Sequence, residues 1–312
     1  MTQRLMLLDT ASLYFRAFYG VPDSIRRSDG TPVNAVRGLL DMIARLTTDY
    51  EATHLIACWD DDWRPQWRVD LLPTYKAHRV AEEVSGHPDV ETVPDPLEAQ
   101  IPMIRRTLEL AGIAVVGAAE HEADDVIGTY ASTADMPVDV VTGDRDLFQV
   151  IDDDADVRVI YTARGMKNLD VMTDASVVAR YRVLPGQYAD YATLRGDASD
   201  GLPGVSGIGE KTAASLLGEY GTLDSLLEAA VDPDSGLSSP VRSKLAKASD
   251  YLAVAPKVVK VVRNLDLPAP KKAGAKLHAV TGEERRELER LAGDWNLGGS
   301  VKRLLDAFDR YA

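Results

Sequence analysis

Five short apolar runs, Leu5 to Leu8, Leu55 to Trp59, Ile113 to Val116, Val138 to Thr142 and Val157 to Tyr161, punctuate the first half of the chain. Longer stretches of helical period separate them, an alternation that predicts βαβ units and a largely parallel sheet. Asn34 is placed to cap a helix carrying Leu39, Leu40, Ile43 and Leu46 on one face. Pro96 is placed to open another carrying Ile101, Ile104 and Leu108. Both helices would cover the sheet. Three of the strands run directly into acids: Asp9 after the first, Asp60 after the second, Asp144 and Asp146 after the fourth. Open α/β sheets bind ligands at the carboxyl ends of their strands.

From about Thr173 the pattern changes to helices and glycine-rich turns, with Gly204 to Thr212 the most distinctive stretch. We therefore expect an α/β unit over 1–172 and a helical unit over 173–312, a division that also suits a chain of 312 residues. No repeat is visible, and Pro268 to Ala275 reads as a flexible segment. With 45% hydrophobic and 27% charged residues the composition is that of a soluble protein, and no apolar run is long enough to cross a bilayer. The start of the chain lacks the features of a secretory signal, which predicts a cytoplasmic protein. Cys58 is the only cysteine and falls in a predicted strand, where a small core hydrophobe is expected rather than a disulfide or a thiolate metal ligand.

The net charge of −14 opposes a nucleic-acid partner, because phosphate contacts need an excess of Lys and Arg. Distribution matters more than the total, since metal-binding carboxylates inflate the negative count and bound cations offset it locally. The acids fall into groups. His121-Glu-Ala-Asp-Asp-Val-Ile-Gly128 reads as the opening of a helix, with Glu122 and Asp125 on one face. Asp144 and Asp146 stand two residues apart in a loop, and Asp197 and Asp200 share a turn. Each group alone is ordinary as a helix-dipole partner or a turn. Together, Asp9, Asp60, Glu122, Asp124, Asp125, Asp144, Asp146, Asp197 and Asp200 form an oxygen-only donor set that suits Mg²⁺ or Mn²⁺ and not zinc. So many like charges need cations between them. Two such ions roughly 3.5 to 4 Å apart activate water and stabilise the leaving oxygen of a displacement at phosphorus, so phosphodiester hydrolysis is the expected chemistry.

The motifs resemble those of the bacterial and phage 5′-nuclease family, which comprises flap endonucleases and the 5′-exonuclease domains of DNA polymerase I. They are Leu-Asp9 followed by Phe-Arg16, Asp60 followed by Trp-Arg68, Tyr75-Lys76-Ala-His-Arg79, Glu-Ala-Asp-Asp125, Gly-Asp-Arg-Asp146-Leu, and Gly-Asp197-Ala-Ser-Asp200 running on to Gly-Ile-Gly-Glu-Lys211-Thr212. The chain has no room for a polymerase domain, so the likeness is to a freestanding form. The resemblance implies a PIN-like nuclease core, with a central mostly parallel sheet flanked by helices and an arch or gateway at about 75–106. It also implies a helical domain with a helix-three-turn-helix element at about 197–220. It implies that the nine acids bind two or three Mg²⁺ or Mn²⁺ ions directly or through water, with Lys76, Arg79, Arg16 and Arg68 as catalytic cations. Tyr75, Gly204, Gly207, Gly209, Lys211 and Thr212 would hold DNA, with a monovalent cation such as K⁺ in the glycine turn. The implied substrate is DNA with 5′ flaps, nicks or 5′ ends, cut by a monomer serving replication and repair.

Three positions depart from the family pattern. The run Asp60, Asp61, Asp62 leaves open whether Asp60 or Asp61 is the ligand; Gly201 stands where Asn is common; and Val80 to Glu91 reads as an acidic insertion at the rim. Arg64, Arg68, Lys76 and Arg79, interleaved with Trp63, Trp67 and Tyr75, form a basic and aromatic patch for phosphates and a splayed base, although the tryptophans read equally well as core. In the glycine turn, main-chain N–H groups at Gly207 and Gly209 are expected to approach a phosphate closely enough to leave little room for a Cβ, with some of the turn's backbone angles at positive φ. The spacing does not fit a nucleotide-binding loop. Arg242, Lys244, Lys247, Lys257, Lys260, Arg263, Lys271, Lys272 and Lys276 outnumber Asp250 and Asp266 nearby, which predicts a basic face for the duplex. Two rival functions share these residues: an endoribonuclease on the same core, and a DNA-structure binder without catalysis.

Overall fold

A computed structural model of the protein describes residues 3–82 and 89–312. Strand β1 (Leu5–Asp9) leads without a loop into α1 (Thr10–Gly20), because the Asp9 carboxylate accepts the Ser12 main-chain N–H at 3.2 Å and caps the helix. Helix α2 (Asn34–Asp49) follows, but Asn34 does not cap it. Its side-chain amide donates to the carbonyls of Phe18 at 2.7 Å and Val21 at 3.1 Å, closing the end of α1 instead. The free Ala35 N–H is met by the buried Gln100 side chain at 2.8 Å.

After β2 (His54–Cys58) and α3 (Gln66–Leu71), a small antiparallel hairpin pairs β3 (Val80–Glu82) with β4 (Val90–Glu91). Part of the expected insertion and arch, residues 83–88, lies outside the described residues. The helix expected from Pro96 is two pieces, α4 (Asp95–Glu98) and α5 (Ile101–Leu110). The break turns Gln100 inward, where it also bonds Asn34 Oδ1 at 3.0 Å and the Pro96 carbonyl at 2.9 Å. Then come β5 (Ala114–Val116), α6 (Ala123–Thr133), β6 (Val138–Thr142), β7 (Val157–Tyr161) and β8 (Asp170–Met172). The six-stranded sheet has the order β5-β2-β1-β6-β7-β8, all parallel except β8. Strand β8 has three residues on an edge, too short to leave an apolar signature.

The chain enters the sheet at its centre, adds strands to one side and then crosses to the other, so direction reverses between β1 and β6. That crevice is where Asp9 and the loop after Thr142 meet. Successive residues of β1 feed opposite faces. Leu5 and Leu7 join Ile56, Cys58, Val138 and Val140 in a core shared with α6 and with the helices that follow the sheet. These are α7 (Asp174–Tyr181), α8 (Tyr188–Arg195), α9 (Glu210–Tyr220), α10 (Leu223–Val231), α11 (Ser239–Lys247) and α12 (Ser249–Val259). Met6, Leu8, Leu55, Ala57 and Val141 face α1, α2 and α5 and are covered by the last helices, α13 (Gly282–Asp294) and α14 (Gly299–Phe308).

The end of the chain therefore returns to the first unit, with α14 against α2, rather than staying with the helical unit expected over 173–312. The segment read as flexible is pinned along the way: the Tyr130 hydroxyl donates to the Pro268 carbonyl at 2.9 Å, the Leu55 N–H to Ala275 at 2.7 Å, and Leu277 donates to Thr53 at 2.9 Å. Its glycine and lysines conceal a strap across the start of β2.

Candidate active site

A cavity of about 400 Å³ opens at the carboxyl ends of β1, β2 and β6, walled by Asp9, Asp60, Glu122, Asp124 and Asp144 and by the cations Lys76 and Arg79. Each carboxylate is placed by local structure. Asp9 caps α1 and accepts the Thr142 hydroxyl at 2.6 Å; Asp60 accepts the Ala123 N–H at 2.8 Å; Asp144 Oδ1 accepts the Asp146 N–H at 2.8 Å. Glu122 is the N-cap residue of α6 and takes Lys76 Nζ at 2.6 Å and the Tyr75 hydroxyl at 2.8 Å.

Burial makes these charges expensive. It pushes Asp9 up to about 7, helped by Asp60 and Asp144 and opposed by the Thr142 hydrogen bond. It raises Asp60 to about 6 and, with Asp144 close by and Lys76 pulling the other way, Asp200 to about 6. Asp124 and Asp146 go well above the ordinary carboxylate range, through burial first and the neighbouring Asp144 second. Asp146 Oδ1 is buried without a hydrogen-bond partner. Lys76 moves the opposite way: burial disfavours its charge, yet Glu122, Tyr75 and Asp200 hold it well above the usual lysine value. The acids outnumber the cations that face them, and an orphaned buried oxygen waits among them. A hard divalent cation fits that donor set. Among the described residues, no three carboxylates are already gathered tightly enough to clasp one ion.

Not every expected site residue faces the cavity. Asp125 is fully buried and turned away, gripping Arg68 through two bonds of 2.8 and 2.7 Å and accepting the Val262 N–H at 2.8 Å. Arg68 also donates from Nε to the Val258 carbonyl at 3.0 Å and makes a 3.4 Å ion pair with Glu122. It can position Glu122 but cannot touch a substrate phosphate. Asp197 is held by Arg145 at 2.7 Å and Arg195 at 2.8 Å; burial opposes its charge, but the Ser199 and Arg145 hydrogen bonds win and lower its pKa. Tyr75, 4% exposed, is a core residue under Glu122 and not a stacking platform. Arg16 lines an adjoining groove with Tyr19 and Lys167, not the acid cavity. Asp60 lines the cavity, whereas Asp61 is exposed and lies against Gly117. Trp63 lines the cavity, and Trp67 stacks on the Arg68 guanidinium at 4.4 Å.

The glycine-rich connection between α8 and α9 divides similarly. Gly204 and Gly207 have φ of +68° and +77°, and a Cβ on Gly204 would come within 2.6 Å of the Arg195 backbone. Gly209 has φ −95° and open space around it, so positive φ is not required there. Lys211 is exposed and Thr212 half-buried on the first turn of α9. Gly201, in place of the expected Asn, has φ +71°, and a Cβ there would sit 2.0 Å from the Thr74 carbonyl oxygen. Its absence lets the two loops touch, with the Lys76 N–H on the Asp200 carbonyl at 3.0 Å and Arg79 on Asp200 at 3.2 Å. In the basic stretch, Arg242 turns inward to the carbonyls of Leu237, Ala229 and Ala230, and Lys244 Nζ donates to the Gly207 carbonyl at 2.9 Å.

Ser12, Phe15, Arg145, Ser199 and Glu91 also line the cavity and were not singled out in the sequence. Arg145 lies inside the Gly-Asp-Arg-Asp motif and was legible there; Glu91 gave no signal beyond its acidic surroundings.

Residues 4–182 match the model of the 5′-3′ exonuclease N-terminal resolvase-like domain, and residues 183–281 that of the 5′-3′ exonuclease C-terminal SAM fold. A 5′-3′ exonuclease of Streptomyces coelicolor is 56% identical over 300 residues, 96% of this chain and 98% of the relative. One of Mycobacterium tuberculosis is 47% identical over 317 residues, 99% of each. The flap endonuclease of bacteriophage T5, solved with DNA and metal ions, shares the fold with a TM-score of 0.63 at 17% identity, over 96% of this chain and all (100%) of that one. Fold, cavity and full-length likeness converge: the chain belongs to the 5′-3′ exonuclease family.

Proposed function

We propose that this nuclease hydrolyses DNA phosphodiesters at 5′ flaps, nicks and 5′ ends, using two or three Mg²⁺ or Mn²⁺ ions. Asp9, Asp60, Asp124, Asp144, Asp146 and Asp200 would hold them, directly or through water, with Glu122 at the margin and Asp125 and Asp197 in support. The observation that carries this reading is the surplus of buried carboxylates around one cavity, several with pKa values raised toward neutrality. When bound, the ions supply an activated water and charge stabilisation at the leaving oxygen.

The chain's own cations act on the phosphate. Lys76 Nζ on Glu122 and the Arg79 guanidinium on Asp200 are held at the cavity wall, where an entering phosphate exchanges for those carboxylates. Arg16 meets the strand in the adjoining groove, and Arg68 acts through Glu122 and Asp125. The duplex rests on the turn of Gly204, Gly207 and Gly209 and on Lys211 and Thr212, where main-chain N–H groups and the start of α9 favour a phosphate. A K⁺ ion in that turn would compete with Lys244 for the Gly207 carbonyl. We further propose a monomer acting in the cytoplasm; no helix among the described residues is long and apolar enough to cross a membrane.

Cleavage of end-labelled 5′-flap, nicked and single-stranded DNA, and of an all-RNA flap, with Mg²⁺, Mn²⁺ or EDTA tests this directly. Metal-dependent release of a short 5′ fragment from DNA is expected. Binding without turnover in either metal, or preferential cutting of RNA, refutes it.

A further inference from the structure

Of the acids expected at the site, Asp146 is the one that buries a carboxylate oxygen without a hydrogen-bond partner among the described residues. Its main chain is pinned on both sides: the N–H donates to Asp144 Oδ1 at 2.8 Å, and the carbonyl accepts Gln149 Nε2 at 2.9 Å. Gln149 in turn donates to the Val259 carbonyl at 3.1 Å and accepts the Val261 N–H at 3.0 Å. The short helical turn Asp146–Val150 is thereby moored to the end of α12, and the Asp146 side chain is left as the part that can move.

A buried donor beside this turn is equally unpaired. Tyr188, the first residue of α8, has no solvent exposure, yet its hydroxyl has no hydrogen-bond partner among the described residues. Tyr188, Tyr191 and Arg195 recur at helical spacing along one face of α8. The Tyr188 ring packs edge-on against Phe148, two residues beyond Asp146, with centroids 5.5 Å apart, and Tyr181 and Tyr191 close on it at 5.3 and 5.6 Å. Burial first, and then the Asp146 carboxylate, push the hydroxyl's pKa up. Arg145 and Arg195, the nearby cations, are already engaged by Asp197.

A buried donor and a buried acceptor each cost free energy while they stay apart, and pairing them removes both costs. The other side of the site already holds a completed pair of this kind, in which the buried Tyr75 hydroxyl donates to Glu122 at 2.8 Å. A hydrogen bond to one oxygen of a ligating carboxylate orients the other.

We propose that Tyr188 is a positioning residue for the metal site: its hydroxyl donates to Asp146 Oδ1 when Asp146 turns to ligate, and so fixes the oxygen that Asp146 offers to the ion. The inference rests on the metal-dependent nuclease reading and adds to it a tyrosine that lies outside the carboxylate motifs. The hydroxyl then contributes to ligation and not to the metal-free fold.

Tyr188→Phe tests this, because it keeps the ring packing and removes the donor. Titration calorimetry with Mn²⁺ and no DNA should give a Kd about tenfold weaker than wild type, the low end for loss of a group that orients a metal ligand. Half-maximal cleavage of a 5′-flap DNA should need about tenfold more Mg²⁺, with kcat recovering at saturating Mg²⁺ and KM for DNA unchanged. In EDTA the urea midpoint of Tyr188→Phe should equal or exceed that of wild type, since an unpaired buried hydroxyl has been removed. Tyr181→Phe, which deletes a neighbouring hydroxyl from the same ring cluster, should leave the Mn²⁺ Kd unchanged. Wild-type Mn²⁺ affinity in Tyr188→Phe, an equal loss in Tyr181→Phe, or a lowered Tyr188→Phe midpoint in EDTA would overturn the role of Tyr188 and spare the nuclease reading. A wild-type protein that binds no Mn²⁺ and cuts no DNA removes both.

Discussion

Asp124 and Asp125 are neighbours on the first turn of α6, and their amide variants should move stability in opposite directions. Asp125 has no solvent exposure and holds Arg68, itself 2% exposed, by two charge-assisted bonds. Asn at this position keeps one acceptor oxygen, loses the charge and points an amino group at a guanidinium. Breaking a buried pair by removing one partner costs about 3 to 5 kcal/mol. Glu122 at 3.4 Å retains part of the attraction, so the low end applies, roughly 3 kcal/mol or about a hundredfold in the folding equilibrium. Asp124 instead has its pKa raised well above the carboxylate range by burial first and then by the facing Asp144, Asp9 and Glu122. Asp124→Asn removes that conflict and should stabilise the metal-free protein at pH 7.5 while abolishing cleavage. Urea unfolding in EDTA followed by tryptophan fluorescence gives the stabilities, and flap cleavage in Mg²⁺ gives the activities. Asp125→Asn with a wild-type midpoint, or Asp124→Asn destabilised to the same extent as Asp125→Asn, refutes this division of roles.

Further outcomes follow from the same geometry. Asp9 near 7 and Asp60 and Asp200 near 6 lie above the ordinary carboxylate value of 3.8 expected when unfolded, so their contribution to stability is complete below about pH 4 and is lost as pH rises through 6 to 7. The melting temperature in EDTA should fall between pH 5 and 8 and recover at pH 8 with Mg²⁺ or Mn²⁺; a flat profile in EDTA contradicts the crowding of charge. Gly201→Ala adds a Cβ 2.0 Å from the Thr74 carbonyl at a left-handed φ, costing about 1 to 2 kcal/mol in backbone strain alone and displacing the loop of Lys76. Its kcat should drop at least tenfold with a smaller change in KM, and an unchanged kcat would show that the loops adapt. Gly204→Ala, crowded against the Arg195 backbone at a left-handed φ, should distort the turn and bind flap DNA more weakly; a wild-type Kd would make the turn irrelevant to the duplex.

The residue pattern alone determined five of the six strands of the large sheet, because a continuous apolar run such as Leu5 to Leu8 has no alternative to burial on both faces. It also determined that acids gather at one end of the sheet, since Asp9, Asp60 and Asp144 each follow a strand and parallel strands end on the same side. Those signals are local, contained within a few residues. Which carboxylate turns toward the cavity is not a local property. Asp124 and Asp125 differ because Arg68, 57 residues away from Asp125, claims one of them, and Tyr75 becomes core because Glu122 lies over its hydroxyl. Asn34 closes the end of α1 rather than capping α2, because the Gln100 amide from a distant helix break already satisfies the first turn. The return of α13 and α14 to the first unit, and the pinning of Pro268 to Ala275, were equally hidden: an amphipathic helix declares that it has an apolar face, but only packing decides which of two sheet faces that stripe will cover.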